Sequence, residues 1–264
     1  MLRRLERIVI VLGASKGKAW LSAPKSSTWE CVAHAEIKSA AAIDFDATIE
    51  ALRTLMSQVD RVAHRATVTV VLGLRYCPAL MVELGSEPLH QHARAALAAH
   101  RFRQTYGISA ETWSVQVDSR RLVGPAIAYA LDRKIPLAFA TAINAPRYRL
   151  DSIVPASIWA PSLDLAAISE GWVATSEDDG ITLIRLVSGH AVFIEVAQEQ
   201  LQDRSQCLGL INRSAFRQGI SSDTTPVLLW SIDRRLPTSQ GTQDGRLLTV
   251  RHALPCAEQR KMTP

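Results

Sequence analysis

The segment Val11-Leu-Gly-Ala-Ser-Lys-Gly-Lys-Ala-Trp20 constrains this chain more than any other. It follows an apolar run, Ile8 to Leu12, that reads as a short buried strand. Glycines straight after such a strand allow a tight turn and let backbone N–H groups approach an oxyanion. Lys18 to Ser22 resumes an extended pattern, so a hairpin is expected around the glycines. If an anion or nucleotide binds here, Gly13, Ser15, Gly17 and Lys18 are the residues that touch it.

Three phosphate-loop readings compete, and each lacks a residue its chemistry needs. A Walker loop places four residues between its first Gly and its Gly-Lys pair, then Ser or Thr for the metal. Here Ala14, Ser15 and Lys16 alone separate Gly13 from Gly17, and Ala19 follows Lys18. A short-chain dehydrogenase loop needs a third Gly where Ala19 stands, and no Tyr-x-x-x-Lys pair accompanies it. A strand-Asp-x-Gly-hairpin loop of the actin type fits best in shape, but its metal-positioning Asp falls on Val11. The segment therefore reads as a nucleotide fold without nucleotide chemistry.

The chain of 264 residues has room for one large domain or two small ones, and its 47% hydrophobic content supports a packed core. Its net charge of +5 rests mainly on arginine, with 24 Arg against six Lys. The arginines are scattered in short pairs such as Arg3-Arg4, Arg120-Arg121 and Arg234-Arg235, with no nucleic-acid motif, so no nucleic-acid partner is expected. Cys31, Cys77, Cys207 and Cys256 are far apart and form no Cys-x-x-Cys, against zinc or thioredoxin-like chemistry. From the charged start and the break of Ala66–Val82 by Arg75 and Pro78, neither a leader nor a membrane span of about 20 apolar residues is expected. A cytoplasmic chain with reduced thiols is expected.

Strands are predicted at Ile8–Leu12, Lys18–Ser22, Thr28–Ile37, Thr67–Leu72 and Arg75–Leu84. A helix capped by Asp44 or Asp46 runs to about Val59, with Ile49, Leu52, Leu55, Met56 and Val59 at helical spacing. A longer helix spans Leu89 to Tyr106 and stops at Gly107. Thr112–Val117, Leu122–Ala128 and Leu150–Val154 read as strands; Leu131–Ile143 reads as a helix interrupted by Pro136, and Pro155–Trp159 opens another. The strand pattern then restarts at Leu165–Ser169, Gly171–Thr175, Ile181–Val187 and Ala191–Val196, with hairpin turns at Asp178–Gly180 and Ser188–His190. A helix from Glu199 to Arg217 and strands at Val227–Ile232 and Arg246–Val250 complete the pattern, with a loose tail after His252. The same order thus occurs twice, which predicts a duplicated α/β fold with mixed sheets, divided into regions 1–160 and 161–264.

Val70–Leu80, Ala98–Gly107 with His100, Phe102, Tyr106 and Gly107, and Trp113–Val117 resemble the cytoplasmic actin-like platform subunits of type II secretion and type IV pilus assembly (GspL- and PilM-like proteins). Ala160–Ala197 matches a later run of strands and turns, so the resemblance spans roughly half of the chain. It implies an actin-like (ASKHA, RNase H-like) fold with degenerate nucleotide loops. In secretion-type relatives such a fold acts through protein contacts; in pilus-type relatives it keeps a nucleotide cleft and binds a segment of an inner-membrane partner. This sequence sides with the former. Val11 replaces the first Asp, a second phosphate loop expected near Ile168–Trp172 lacks Asp-x-Gly, and the chain contains no Gly-Gly pair for adenosine.

Other candidate chemistry is thin. His90-x-His92 suits a helix start better than a metal site, since no third ligand follows at useful spacing. His100 is a base on paper, but its position suggests a ring at the edge of the core. Glu177-Asp178-Asp179 could hold a cation, yet with Gly180 it reads as a hairpin turn. Lys16, Lys18 and Lys25 line the first hairpin and suit an anion, an acidic partner or protection of a sheet edge alike.

The reading that follows is a non-enzymatic cytoplasmic scaffold of a type II secretion or type IV pilus-like apparatus, with no catalytic residue, metal or cofactor. Its expected partner is a cytoplasmic segment of an inner-membrane assembly protein or a cytoplasmic assembly ATPase, through which any peripheral association with the inner membrane is made. The alternatives are an actin-like ATPase with diverged loops and, more remotely, an α/β oxidoreductase built on Gly13–Gly17.

Overall fold

The computed structural model describes residues 5–24, 26, 28–38, 44–143, 145–162, 169–220, 224–232, 239–243 and 246–252. The first apolar run is β1 (Glu6–Leu12), buried from Ile8 onward. The chain returns antiparallel as β2 (Lys16–Ser22) and again as β3 (Glu30–Glu36). Helix α1 (Phe45–Val59) follows. The Asp44 carboxylate caps it by accepting the Ala47 N–H at 3.0 Å, while Asp46 lies within the first turn. Its periodic apolar residues Ile49, Leu52, Leu55, Met56 and Val59 all turn inward. β4 (Ala66–Leu72) then lies parallel to β1, and its β-branched run is buried between layers.

A smaller layer is inserted next. β5 (Ala79–Glu83), α2 (Gln91–Tyr106), a 3-10 turn at Gly107–Thr112, β6 (Trp113–Val117) and β7 (Pro125–Asp132) build a sheet of order β5-β7-β6. Ala98 and Phe102 seat α2 on it. The chain rejoins the first sheet through α3 (Lys134–Ile143) and β8 (Tyr148–Pro155), giving the order β3-β2-β1-β4-β8, and leaves through α4 (Ala156–Ser162).

The second half repeats the first. β9 (Gly171–Ser176), β10 (Ile181–Val187) and β11 (His190–Ala197) form an antiparallel meander, followed by α5 (Arg204–Arg217) and β12 (Val227–Ser231), which is parallel to β9. β13 (Ser239–Gln243) and β14 (Arg246–His252) extend this sheet to the order β11-β10-β9-β12-β14-β13. Val173, Ile184, Leu228 and Trp230 belong to the same buried cluster as Ile8, Ile10 and Leu12, so one core joins the halves. The outer face of the second sheet is closed by α5, through Cys207, Leu208 and Ile211 against Trp172, Ile181 and Leu183.

Several local expectations shift. The strand expected from Arg75 begins at Ala79, because residues 73–77 form a turn in which the Tyr76 and Cys77 N–H groups close on the Gly73 carbonyl. Leu122 is loop; β7 starts beyond Gly124 (φ 71°) and runs through Leu131 and Asp132, taking the start of the expected helix. Pro136 does not interrupt α3: it sits in the first turn, where a missing N–H costs no intrahelical bond. α5 begins after Asp203, whose carboxylate caps it through the Gln206 N–H at 2.9 Å, and residues from Glu199 stay outside the helix. Leu165–Ile168 and the tail beyond His252 lie outside the described residues, and β13 adds a strand that the sequence pattern does not predict.

Candidate functional site

The two meanders meet at their tips. Strand pairing fixes the correspondence, since Leu12 faces Gly17 across the first hairpin and Ser176 faces Ile181 across the second. Residues 13–16 therefore match residues 177–180, and Val11 matches Thr175. The second turn of phosphate-loop type is Glu177–Gly180, not the expected Ile168–Trp172: Gly171 and Trp172 open β9, and Ile168 is outside the described residues. Asp178-Asp-Gly180 spells Asp-x-Gly, but it stands in the turn itself. The strand-end positions that would hold a metal or its waters carry Val11 and Thr175, and neither supplies a carboxylate.

What fills the space between the turns is the chain itself. The Ala14 N–H donates to Asp178 Oδ1 at 2.9 Å; the Ser15 N–H and hydroxyl both donate to Oδ2, each at 2.9 Å. The neighbouring Glu177 Oε2 accepts the Leu74 N–H at 2.7 Å, beyond the end of β4. Asp179 pairs with Arg75, Nε to Oδ2 3.3 Å, at a partly buried site. Burial, and then the adjacent Asp178, push the Asp179 carboxyl above its ordinary value against the pull of Arg75. All three acids of this hairpin thus reach across to the first half.

Glycines make the approach feasible. A Cβ on Gly13 would lie 2.4 Å from Asp178 Oδ1, and one on Gly73 2.6 Å from Glu177 Oε2. Gly17 makes room elsewhere. It lies within β2, where a Cβ would meet Leu55 at 2.9 Å, so it admits α1 onto the sheet. Ser15 is the turn residue that binds Asp178. Lys18 points from β2 with Lys16 toward a cavity of about 190 Å³ walled by Val11, Trp20 and Ile232. Ligand sites for drug-sized molecules run to roughly 300–1,000 Å³, so the remaining space is small for a nucleotide.

The other candidates scatter. His90 precedes α2 without a side-chain capping bond, and both it and His92 are exposed. His100 is exposed rather than at the edge of the core. Lys25 is outside the described residues. Among the described residues, no three His, Cys, Asp or Glu side chains group so as to hold a metal. Phe102, Tyr106 and Trp113 do come together: ring centroids lie 6.0 Å apart for Phe102–Tyr106 and Phe102–Trp113, and 5.2 Å for Tyr106–Trp113. This is packing beneath α2, with Phe102 fully buried. The signal in the sequence that locates the second turn is the pair of equal strand–turn–strand units; aligning them places it at residues 177–180, which also hold the Asp-x-Gly of Asp178–Gly180.

Two β-meander-plus-helix halves, tip to tip across a cleft, are the duplicated actin-like fold that the sequence resemblance implied. Solved structures agree. The chain is similar to the cytoplasmic domain of EpsL, an inner-membrane component of the type II secretion system of Vibrio cholerae (14% identity, 94% of this chain and 89% of that one, TM-score 0.58). It is similar as well to the PilM–PilN type IV pilus biogenesis complex (10% identity, 97% and 92% covered, TM-score 0.61). A protein of actin-like ATPase fold from Bacteroides thetaiotaomicron matches at 11% identity over 91% and 83% of the chains, TM-score 0.58. No protein-family model and no curated protein matches the chain. The oxidoreductase reading fails on topology, because the strand after Gly13–Ser15 is β2, whereas a dinucleotide loop needs a helix N-terminus there. Among the described residues no helix is long and apolar enough to cross a membrane.

Proposed function

We propose that this chain is a non-enzymatic scaffold of an envelope machine of the type II secretion or type IV pilus kind. It acts in the cytoplasm by binding a cytoplasmic segment of an inner-membrane assembly protein or an assembly ATPase. The reading takes its two regions as residues 1–160 and 161–264. The observation that carries it is the occupied turn: Asp178 takes the N–H groups of Ala14 and Ser15 that an actin-like ATPase would turn to a phosphate. Val11 and Thr175 leave the metal positions without a carboxylate. The similarity in fold to EpsL and PilM supports the choice of machine.

The test pairs two measurements on the purified chain. Magnesium ATP is expected to leave its melting temperature unchanged and to undergo no turnover, since a ligand of the folded state would raise the melting temperature. Pull-downs from its own cells are expected to recover an envelope-machine component, more at low salt than at high salt if the arginine-rich surface steers an acidic segment. Turnover of ATP that disappears in Lys18→Ala, together with pull-downs empty of any such component, would overturn the proposal.

A further inference from the structure

We infer that the turn Gly13–Ser15 is an intact oxyanion site whose ligand is the chain's own Asp178 carboxylate, and that vacating it opens a site for inorganic phosphate. Three donors converge on this one side chain, two N–H groups and a hydroxyl, all at 2.9 Å. Successive backbone N–H groups aimed at one anion are how phosphate-binding turns work. Asp178 is buried and held from behind, its own carbonyl accepting from Gln200 Nε2 at 2.5 Å. Gly13 supplies the clearance.

Charge favours the exchange once Asp178 is gone. Lys16 and Lys18 line the adjoining cavity; besides Asp178 its lining holds the carboxylate of Glu177, which is bonded to the Leu74 N–H, and Glu36 faces Lys16 from β3. The carboxylate thus does for this fold what an exchangeable phosphate does in a nucleotide-closed one. It bridges a turn of the first half to a turn of the second, permanently and at no dependence on metabolite level. The inference rests on reading residues 13–15 as a degenerate phosphate loop, and not on the scaffold role, so partner recovery and anion binding fail separately.

The experiment compares wild type with Asp178→Ala by thermal melting in inorganic phosphate, in acetate, and in potassium chloride at matched ionic strength. Wild type reports the general stabilisation that phosphate gives any protein. Asp178→Ala is expected to melt below wild type and to gain more from phosphate than wild type does. At phosphate a hundredfold above its dissociation constant the gain is about 100-fold in the folding equilibrium. Acetate carries the same two oxygens with which Asp178 meets all three donors, so it is expected to act in the same direction, and more weakly than phosphate because it brings less charge to Lys16 and Lys18. Adding Ser15→Ala to Asp178→Ala should weaken the phosphate response. An unchanged melting temperature in Asp178→Ala, or equal phosphate gains in the two proteins, overturns the inference. If Asp178→Ala does not fold, a cycle of Ser15→Ala and Asp178→Asn decides: coupled losses support the site, and strictly additive losses overturn it.

Discussion

Alanine at position 13 should be destabilising here, although glycine to alanine is often the reverse. The backbone at Gly13 does not have a left-handed φ, so alanine is conformationally allowed. On chain entropy alone the change would stabilise by about 0.4–1 kcal/mol. The new Cβ, however, falls 2.4 Å from Asp178 Oδ1, 2.8 Å from its Cγ and 2.9 Å from Oδ2. Asp178 is a short side chain pinned by three bonds, so it must leave the turn. Hydrogen bonds to a charged group contribute about 1.5–3 kcal/mol each, and Ser15 is exposed enough for water to replace part of its share. A net loss of about 2–3 kcal/mol remains. For a chain of this size that lowers the melting temperature by about 4–12 °C. In an Asp178→Ala background the obstacle is gone, and Gly13→Ala should be neutral or stabilising by about 0.4–1 kcal/mol. The four proteins are compared by urea unfolding, where independent sites add within about 0.3–0.5 kcal/mol. If Gly13→Ala costs the same with and without Asp178, the two residues are not in the contact described and the reasoning fails.

Two further expectations come from the cores. Phe102→Ala, at a fully buried side chain between Tyr106 and Trp113, should cost about 3–5 kcal/mol, and a loss below about 1 kcal/mol in urea unfolding would mean that the three rings do not hold α2 in place. Alkali should destabilise the chain through its buried thiols: burial pushes Cys77 and Cys207 each up to about 12. The unfolded chain loses these protons from about pH 9 while the folded one keeps them, so stability falls as pH rises from about 9 toward 12, by about 1 kcal/mol per thiol and pH unit. Unfolding midpoints at pH 8 and pH 10 should therefore diverge less in a Cys77→Ala, Cys207→Ala variant than in wild type; parallel losses would contradict this.

Local physics was legible in the residues themselves. The apolar run Ile8–Leu12, the helical spacing from Ile49 to Val59 and the Gly107 stop each act within a few residues, and each lies where the pattern put it; of the two caps the pattern offered, Asp44 and Asp46, the structure uses Asp44. The twofold order of meander, helix and strand was likewise readable, because it is a succession of local patterns. What a single strand pairs with is not local. Nothing in Pro125–Asp132 says that it is the middle of a separate sheet, nor that Leu131 belongs to it rather than to the next helix.

The site shows the division most sharply. Glu177-Asp178-Asp179-Gly180 is a hairpin turn by sequence, and a hairpin turn it is. That its acids reach Leu74, the turn at Ala14 and Ser15, and Arg75 depends on how the two sheets are set tip to tip. Ser15 and Asp178 are 163 residues apart, and only the packed core between the halves brings them within hydrogen-bond reach. The same holds for the glycines. Gly13, Gly17 and Gly73 look alike as letters, yet one makes room for Asp178, one for Leu55 and one for Glu177. A missing Cβ is a local property; what occupies the space it leaves is decided by the tertiary fold.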